Sequence, residues 1–107
     1  MEREQMNPLL ARKVIHGANT TMARLEIVKG AVVPLHHHAN EQMSVMLTGK
    51  LRFVIDGVES IVSAGEVMVI PPNAPHMVEA LEDSLVLDVF SPLRSDWLSG
   101  DDAYLRK

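Results

Sequence analysis

The chain lacks cysteine altogether, which excludes disulfide staples, thiolate metal sites, iron–sulfur clusters and a cysteine nucleophile. It also lacks a long apolar run. The longest, Val67 to Pro72, falls far short of the roughly 20 residues that a membrane-spanning helix needs. Met1 to Leu10 carries charges of both signs and no apolar stretch, so no signal peptide is expected and the expected location is cytoplasmic. Basic clusters are missing as well. Lys and Arg number 10 against 14 Asp and Glu, a net charge of −4, and this balance disfavours nucleic acid and anionic membranes as partners. Repeats, low-complexity segments and linkers are absent. The 107 residues are too few to divide between two stable cores, so one domain over 1–107 is expected.

What the chain has in quantity is β-branched residues: thirteen valines and five isoleucines, which favour strands. Short apolar runs alternate with turn signals. Ala23 to Val28 ends at Lys29-Gly30, Met43 to Leu47 at Thr48-Gly49, Leu51 to Ile55 at Asp56-Gly57, and Ile61-Val62 leads to Ala64-Gly65. Val67 to Ile70 meets Pro71-Pro72-Asn73-Ala74-Pro75, which cannot continue a sheet; His76 to Leu81 and Leu85 to Phe90 complete the series. The even spacing predicts an all-β sandwich or barrel. Helix is expected only as one turn within Asn7 to His16 and another within Ser91 to Leu98, where Ser91-Pro92 reads as a cap followed by proline at the first helical position. The domain is expected to begin near residue 15.

Four of the five histidines are informative by position. On an extended segment, residues two apart face the same way, so His36 and His38 point together, His37 points opposite, and Gln42 shares the parity of the first two. These three then line one wall, and His76, after the proline-rich turn, closes the site from a neighbouring strand. Imidazole suits several transition metals, so the set does not name the ion. A solvated His-rich loop is the competing reading, and spacing alone leaves both open. Near the C-terminus, Leu85 to Phe90 alternates with period two. Leu85, Leu87 and Val89 form an aliphatic face expected to pack between the sheets, whereas Val86, Asp88 and Phe90 form the other. An acid in mid-strand needs a partner or a polar cavity, and a salt bridge to Arg94 is the simplest arrangement.

The spacings Gly30–His36–His38–Gln42–Gly49 and Gly65–Pro71–Asn73–His76–Ala80 resemble the two signature motifs of the cupin family, with 15 residues between Gly49 and Gly65. Motif one covers 30–49 and motif two 65–80. Gln42 stands where the family usually has glutamate, Asn73 where it has a turn glycine, and Ala80 where it has asparagine. Glu41 is the alternative to Gln42 as ligand, with the wrong parity. The resemblance implies a double-stranded β-helix, a jelly-roll barrel with short helical or irregular termini. It also implies one divalent transition metal (zinc, nickel, iron or manganese) held by His36, His38, Gln42 and His76. Four neutral ligands would leave the ion its full charge and make it a stronger Lewis acid toward an anionic oxygen.

The run Asp88-Val89-Phe90-Ser91-Pro92-Leu93-Arg94, within a C-terminal strand and tail over 85–107, together with Gln42, resembles the KdgF-type small cupins of pectin and alginate breakdown. That resemblance implies conversion of 4,5-unsaturated monouronates to linear 4-deoxy-5-keto uronates, an isomerase-type reaction on a small anionic sugar. It makes Asp88 the acid/base, has Arg94 clamp the substrate carboxylate with two parallel hydrogen bonds, and packs Phe90 on the ring. It also implies a homodimer. Another metal-dependent cupin such as a dioxygenase, or a non-catalytic sugar-binding cupin, are the alternatives. His16 and His37 are expected outside the site, Trp97 and Tyr104 as tail anchors, and Asp101-Asp102 in solvent.

Overall fold

The computed structural model describes residues 1–107. Ten strands follow one another: β1 (Arg3–Asn7), β2 (Leu10–His16), β3 (Thr21–Ile27), β4 (Val32–His36), β5 (Glu41–Thr48), β6 (Lys50–Ile55), β7 (Val58–Ser63), β8 (Val67–Ile70), β9 (His76–Ala80) and β10 (Ser84–Ser91). A one-turn helix α1 (Ser95–Leu98) and a 3-10 turn (Ala103–Leu105) end the chain. The strands form two antiparallel sheets, one ordered β1-β2-β3-β10-β5-β8 and one β4-β9-β6-β7, which is the expected jelly roll. No helix is long and apolar enough to cross a membrane.

Period-two alternation places the core between the layers. Thr21, Ala23, Leu25 and Ile27 of β3 point inward, the last three joining Leu51 and Phe53 of β6 and Val78 and Ala80 of β9 in one apolar cluster. Turn chemistry sets the register. Asp56 and Gly57 both take positive φ, the geometry of the tight β6–β7 hairpin. Gly49 joins β5 to β6 at φ 88°, and a Cβ there would collide with Ser84 and the Asp83 carbonyl. Asn73 holds the left-handed conformation that a glycine would otherwise supply in the second motif.

Three local expectations change. Asn7 to His16 is not helical: most of it is β2, which pairs with β1 and β3, so the barrel's larger sheet begins at Arg3 rather than near residue 15. Its backbone groups find partners on β3 that a lone helical turn lacks. The helical turn after β10 starts at Ser95, because the preceding segment is tied down elsewhere. Arg94 N donates to Thr21 Oγ1 (2.7 Å) and Asn40 Nδ2 to the Pro92 and Leu93 carbonyls. The Ser91–Pro92 peptide is cis. Finally, β10 faces the other way from the expectation. Val86, Asp88 and Phe90 are buried between the sheets, while Leu85, Leu87 and Val89 form part of the outer face. The polar position is inside because the barrel has a polar cavity there.

Candidate metal centre and active site

His36 ends β4 and stands opposite His76, the first residue of β9, as its cross-strand partner; their ring centroids lie 4.2 Å apart. The chain then leaves that sheet. Residues 37–40 turn the corner to β5 in the other sheet, so His36, His38 and Gln42 do not line a single wall. They converge from two sheets and the corner between them. The corner is fixed by Asn73 N, which donates to the His38 carbonyl at 2.7 Å. His37 is exposed.

All three imidazoles are oriented in the same way. Nδ1 of His36 donates to the Pro34 carbonyl (2.7 Å), that of His38 to Asn40 (3.1 Å) and that of His76 to Ala74 (2.8 Å). A carbonyl only accepts, so each Nδ1 carries the hydrogen and each Nε2 carries a lone pair. One nitrogen from each ring can be chosen so that all three lie within 4.8 Å of one another. Burial pushes His36 and His38 down to about 4, and it lowers His76 as well, so the rings are neutral at neutral pH.

A second contact tests the fit to a cation. Gln42 Nε2 donates to Ser44 Oγ (2.9 Å), and Ser44 Oγ donates to Asp88 Oδ1 (2.6 Å). This relay aims Gln42 Oε1 at His38 Nε2, 3.1 Å away. Both atoms are acceptors, an arrangement that a shared cation satisfies. The cluster thus fits a divalent metal, with soft-to-borderline nitrogen donors and a neutral oxygen beside them. Gln42 is buried, whereas Glu41 is exposed on the opposite face of β5.

Gln42, Ser44, Asp88, Phe90 and Arg94 line, together with His36 and His76, a cavity of about 40 Å³. Asp88 pairs in register with Ser44 and Phe90 with Gln42, so two neighbouring strands present one face to the cavity. Burial pushes the Asp88 carboxyl up to about 6, against the hydrogen bonds of Ser44 and Gln42 and the charge of Arg94. Its proton is therefore mobile near neutral pH.

The Arg94 side chain is 1% exposed and lies between aromatic faces, 4.6 Å over Phe90 and 4.2 Å over Trp97. It forms no salt bridge with Asp88. Asp96 takes its Nε (2.9 Å) and Nη2 (2.7 Å), and Nη2 also donates to Tyr104 Oη (2.9 Å). Burial opposes the guanidinium charge, but Asp96 and Tyr104 more than offset it and its pKa is raised. Asp102 is not in solvent. It is buried and accepts from Arg12 and Arg106, pinning the C-terminal tail to β2. Ser44, Asp96 and Tyr104 are site residues that the sequence pattern passed over. Ser44 has the parity of Gln42, a usable signal. Tyr104 stacks on His36 at 4.4 Å, which no local pattern discloses.

The cupin domain family matches residues 23–90 of the chain. The pectin degradation protein KdgF of Dickeya dadantii is 31% identical over 98 residues, 89% of each chain. The structure of KdgF from Halomonas sp. superposes with a TM-score of 0.84 at 30% identity, covering 91% of both chains. An RmlC-like cupin from Shewanella frigidimarina gives the same TM-score at 27% identity, over 90% of this chain and 87% of that one. With its paired sheets, its three inward imidazoles and these relatives, the chain belongs to the cupin family and is of the KdgF type.

Proposed function

We propose that the protein is a metal-dependent enzyme that opens the ring of 4,5-unsaturated monouronates to give linear 4-deoxy-5-keto uronates. The observation that carries this reading is the convergence of three imidazoles on one cavity with a buried carboxyl, Asp88, in its wall. The likeness to a pectin degradation protein supports the substrate class. A divalent ion held by His36, His38 and His76, with Gln42 Oε1 as fourth ligand, would supply Lewis acidity toward a substrate oxygen.

The chain's own residues do the rest. Asp88 takes the proton of the anomeric hydroxyl. The bond between C1 and the ring oxygen breaks, a carbonyl forms at C1, and the electron pair passes to the former ring oxygen as an enolate. Asp88 returns the proton to C4, leaving a ketone at C5, so no atom is gained or lost. Ser44 and Gln42 orient the Asp88 carboxyl for both transfers. Phe90 offers an apolar wall to the ring, and Arg94 attracts the substrate carboxylate.

The test is metal analysis of the purified protein beside incubation with 4,5-unsaturated galacturonate. Expected are one divalent transition ion per chain and loss of the conjugated ultraviolet absorbance faster than in buffer. Decay at the buffer rate overturns the reading. Oxygen uptake would mark a dioxygenase, and binding without turnover a sugar-binding cupin.

We also propose a homodimer as the working assembly. Ile15, Met22, Val89, Met43 and Val69 stand in register across five strands on the outer face of the larger sheet, with Leu87, Val45 and Val67 in the next row. A second copy of this face would cover them.

A further inference from the structure

Arg94 cannot clamp a carboxylate in the simple way, because one whole edge of its guanidinium is in use. Asp96 accepts from Nε and from the Nη2 hydrogen on the same side. The guanidinium fork is rigid and planar, so the second hydrogen of Nη2 lies on the Nη1 side, and that hydrogen goes to Tyr104 Oη. Nη1 makes no hydrogen bond within the chain.

Tyr104 Oη receives a second donor. Trp97 Nε1 lies 3.1 Å from it. An indole N–H and a guanidinium can only donate, so both lone pairs of the phenol oxygen are taken and its single hydrogen points elsewhere. No group of the chain accepts it. Stacking on His36 fixes the ring, and the residue lines the cavity with Asp88 and His76. Two unused donors, one charged and one neutral, therefore flank the same part of the cavity wall, and Tyr104 sits on the Nη1 side of Arg94.

We propose that Nη1 of Arg94 and the hydroxyl of Tyr104 together form the seat for the substrate carboxylate, with Asp96 and Trp97 holding the two donors in place. This rests on the uronate reading above for the substrate. It makes Tyr104, carried by the C-terminal tail, a substrate-binding residue that selects an acid over a neutral sugar.

The test uses the metal-loaded, full-length protein and its Tyr104→Phe variant, titrated calorimetrically with galacturonate and with its methyl ester. The phenylalanine ring keeps the packing on His36, so metal content stays the same. Wild type should prefer the acid. The variant should bind the acid at least about tenfold more weakly, because it loses the phenol donor and also frees the Arg94 Nη2 and Trp97 Nε1 hydrogens that the phenol oxygen held, with the ester unchanged. With unsaturated galacturonate the same loss should fall on KM more than on kcat. Equal acid affinity in the two proteins, equal losses for acid and ester, or no preference for the acid in wild type each overturns the seat. Acid-selective binding without turnover by wild type would instead sink the ring-opening reading and leave the seat standing.

Discussion

Asp88 is held in a state that the fold does not favour. Burial raises its carboxyl from the ordinary value near 3.8 to about 6. A carboxyl that binds its proton more tightly in the folded state stabilises the fold in acid. That contribution is lost as pH rises from the unfolded pKa through the folded one, leaving a penalty of about 3 kcal/mol at pH 7. The buried histidines work in the other direction. His36 and His38, pushed down to about 4, contribute stability above 6.5 that is lost as pH falls toward 4. Their effect is common to wild type and an Asp88→Asn variant, so the difference between the two isolates Asp88. Urea unfolding of the metal-free proteins should show Asp88→Asn more stable than wild type by up to about 3 kcal/mol at pH 7.5, with the gap closing near pH 4. Its turnover should fall by at least about a hundredfold with metal content unchanged. Full activity in the variant would remove Asp88 from the reaction. The grouping of the three histidines was legible through the spacing of the two motifs; strand parity was not what joined them, since residues 37–40 turn the corner between the sheets. Asp96 is a near neighbour of Arg94 in the chain and was passed over for want of a pattern, whereas Tyr104 was hidden because the fold brings the tail back to Arg94 and His36.

At the scale of elements, the C-terminal tail is what the sequence disclosed least. Its acidic pair reads as a solvated charge run, yet Asp102 is 5% exposed and anchors the tail. Hydrogen bonds from Arg106 and Arg12 hold its carboxyl below the usual range despite burial. Leu105 enters the core, and Asn7 Nδ2 donates to its carbonyl at 2.9 Å, joining the tail to the first strand. Arg12 lies 4.7 Å over Trp97, which also meets Arg94, Phe90 and Tyr104, so the anchor is continuous with the cavity wall. Replacing Asp102 by alanine leaves the buried Arg12 with Glu4 alone, at 3.4 Å. The expected cost is about 2–3 kcal/mol, less than for a fully orphaned buried charge. Thermal unfolding should report it, and hydrogen exchange should speed up at Leu105 and Arg106, whose N–H groups close the last turn. Unchanged exchange there would mean that Leu105, and not the ion pair, holds the tail. Strand β10 gives the complementary lesson. Its alternation was readable, but which face turns inward was not, because an aliphatic row suits either a core or an interface.

For the whole molecule, that reversed strand has a consequence. Turning Asp88 and Phe90 inward obliges Leu85, Leu87 and Val89 to face out; Val89 stands in line with apolar residues on four neighbouring strands, whereas Leu85 and Leu87 stand beside Glu26 and Arg24 of β3. An all-β sandwich or barrel was legible because turn glycines, the Asp56-Gly57 hairpin and the proline-rich turn fix strand lengths locally, and the resemblance of the two histidine motifs to the cupins narrowed it to the jelly roll. What covers an outer face is not a local property. Met43, 43% exposed, sits in the middle of the row between Val89 and Val69. An apolar field crossing five strands is larger than the scattered single residues that a monomer ordinarily leaves in water. A stable dimer needs about 800 Å² from each copy, an area of the order that one sheet face supplies. Because an isologous contact uses the same face on both copies, a charge placed in that face is buried twice, once from each side. Met43→Glu should therefore convert a wild-type dimer to a monomer in light scattering. The new carboxylate stays in solvent on the isolated chain, so the fold and the metal site, on the other face of the same sheet, should survive. A wild type that is monomeric at about 100 µM, far above the concentration at which an interface of this size dissociates, would show that this face stays bare.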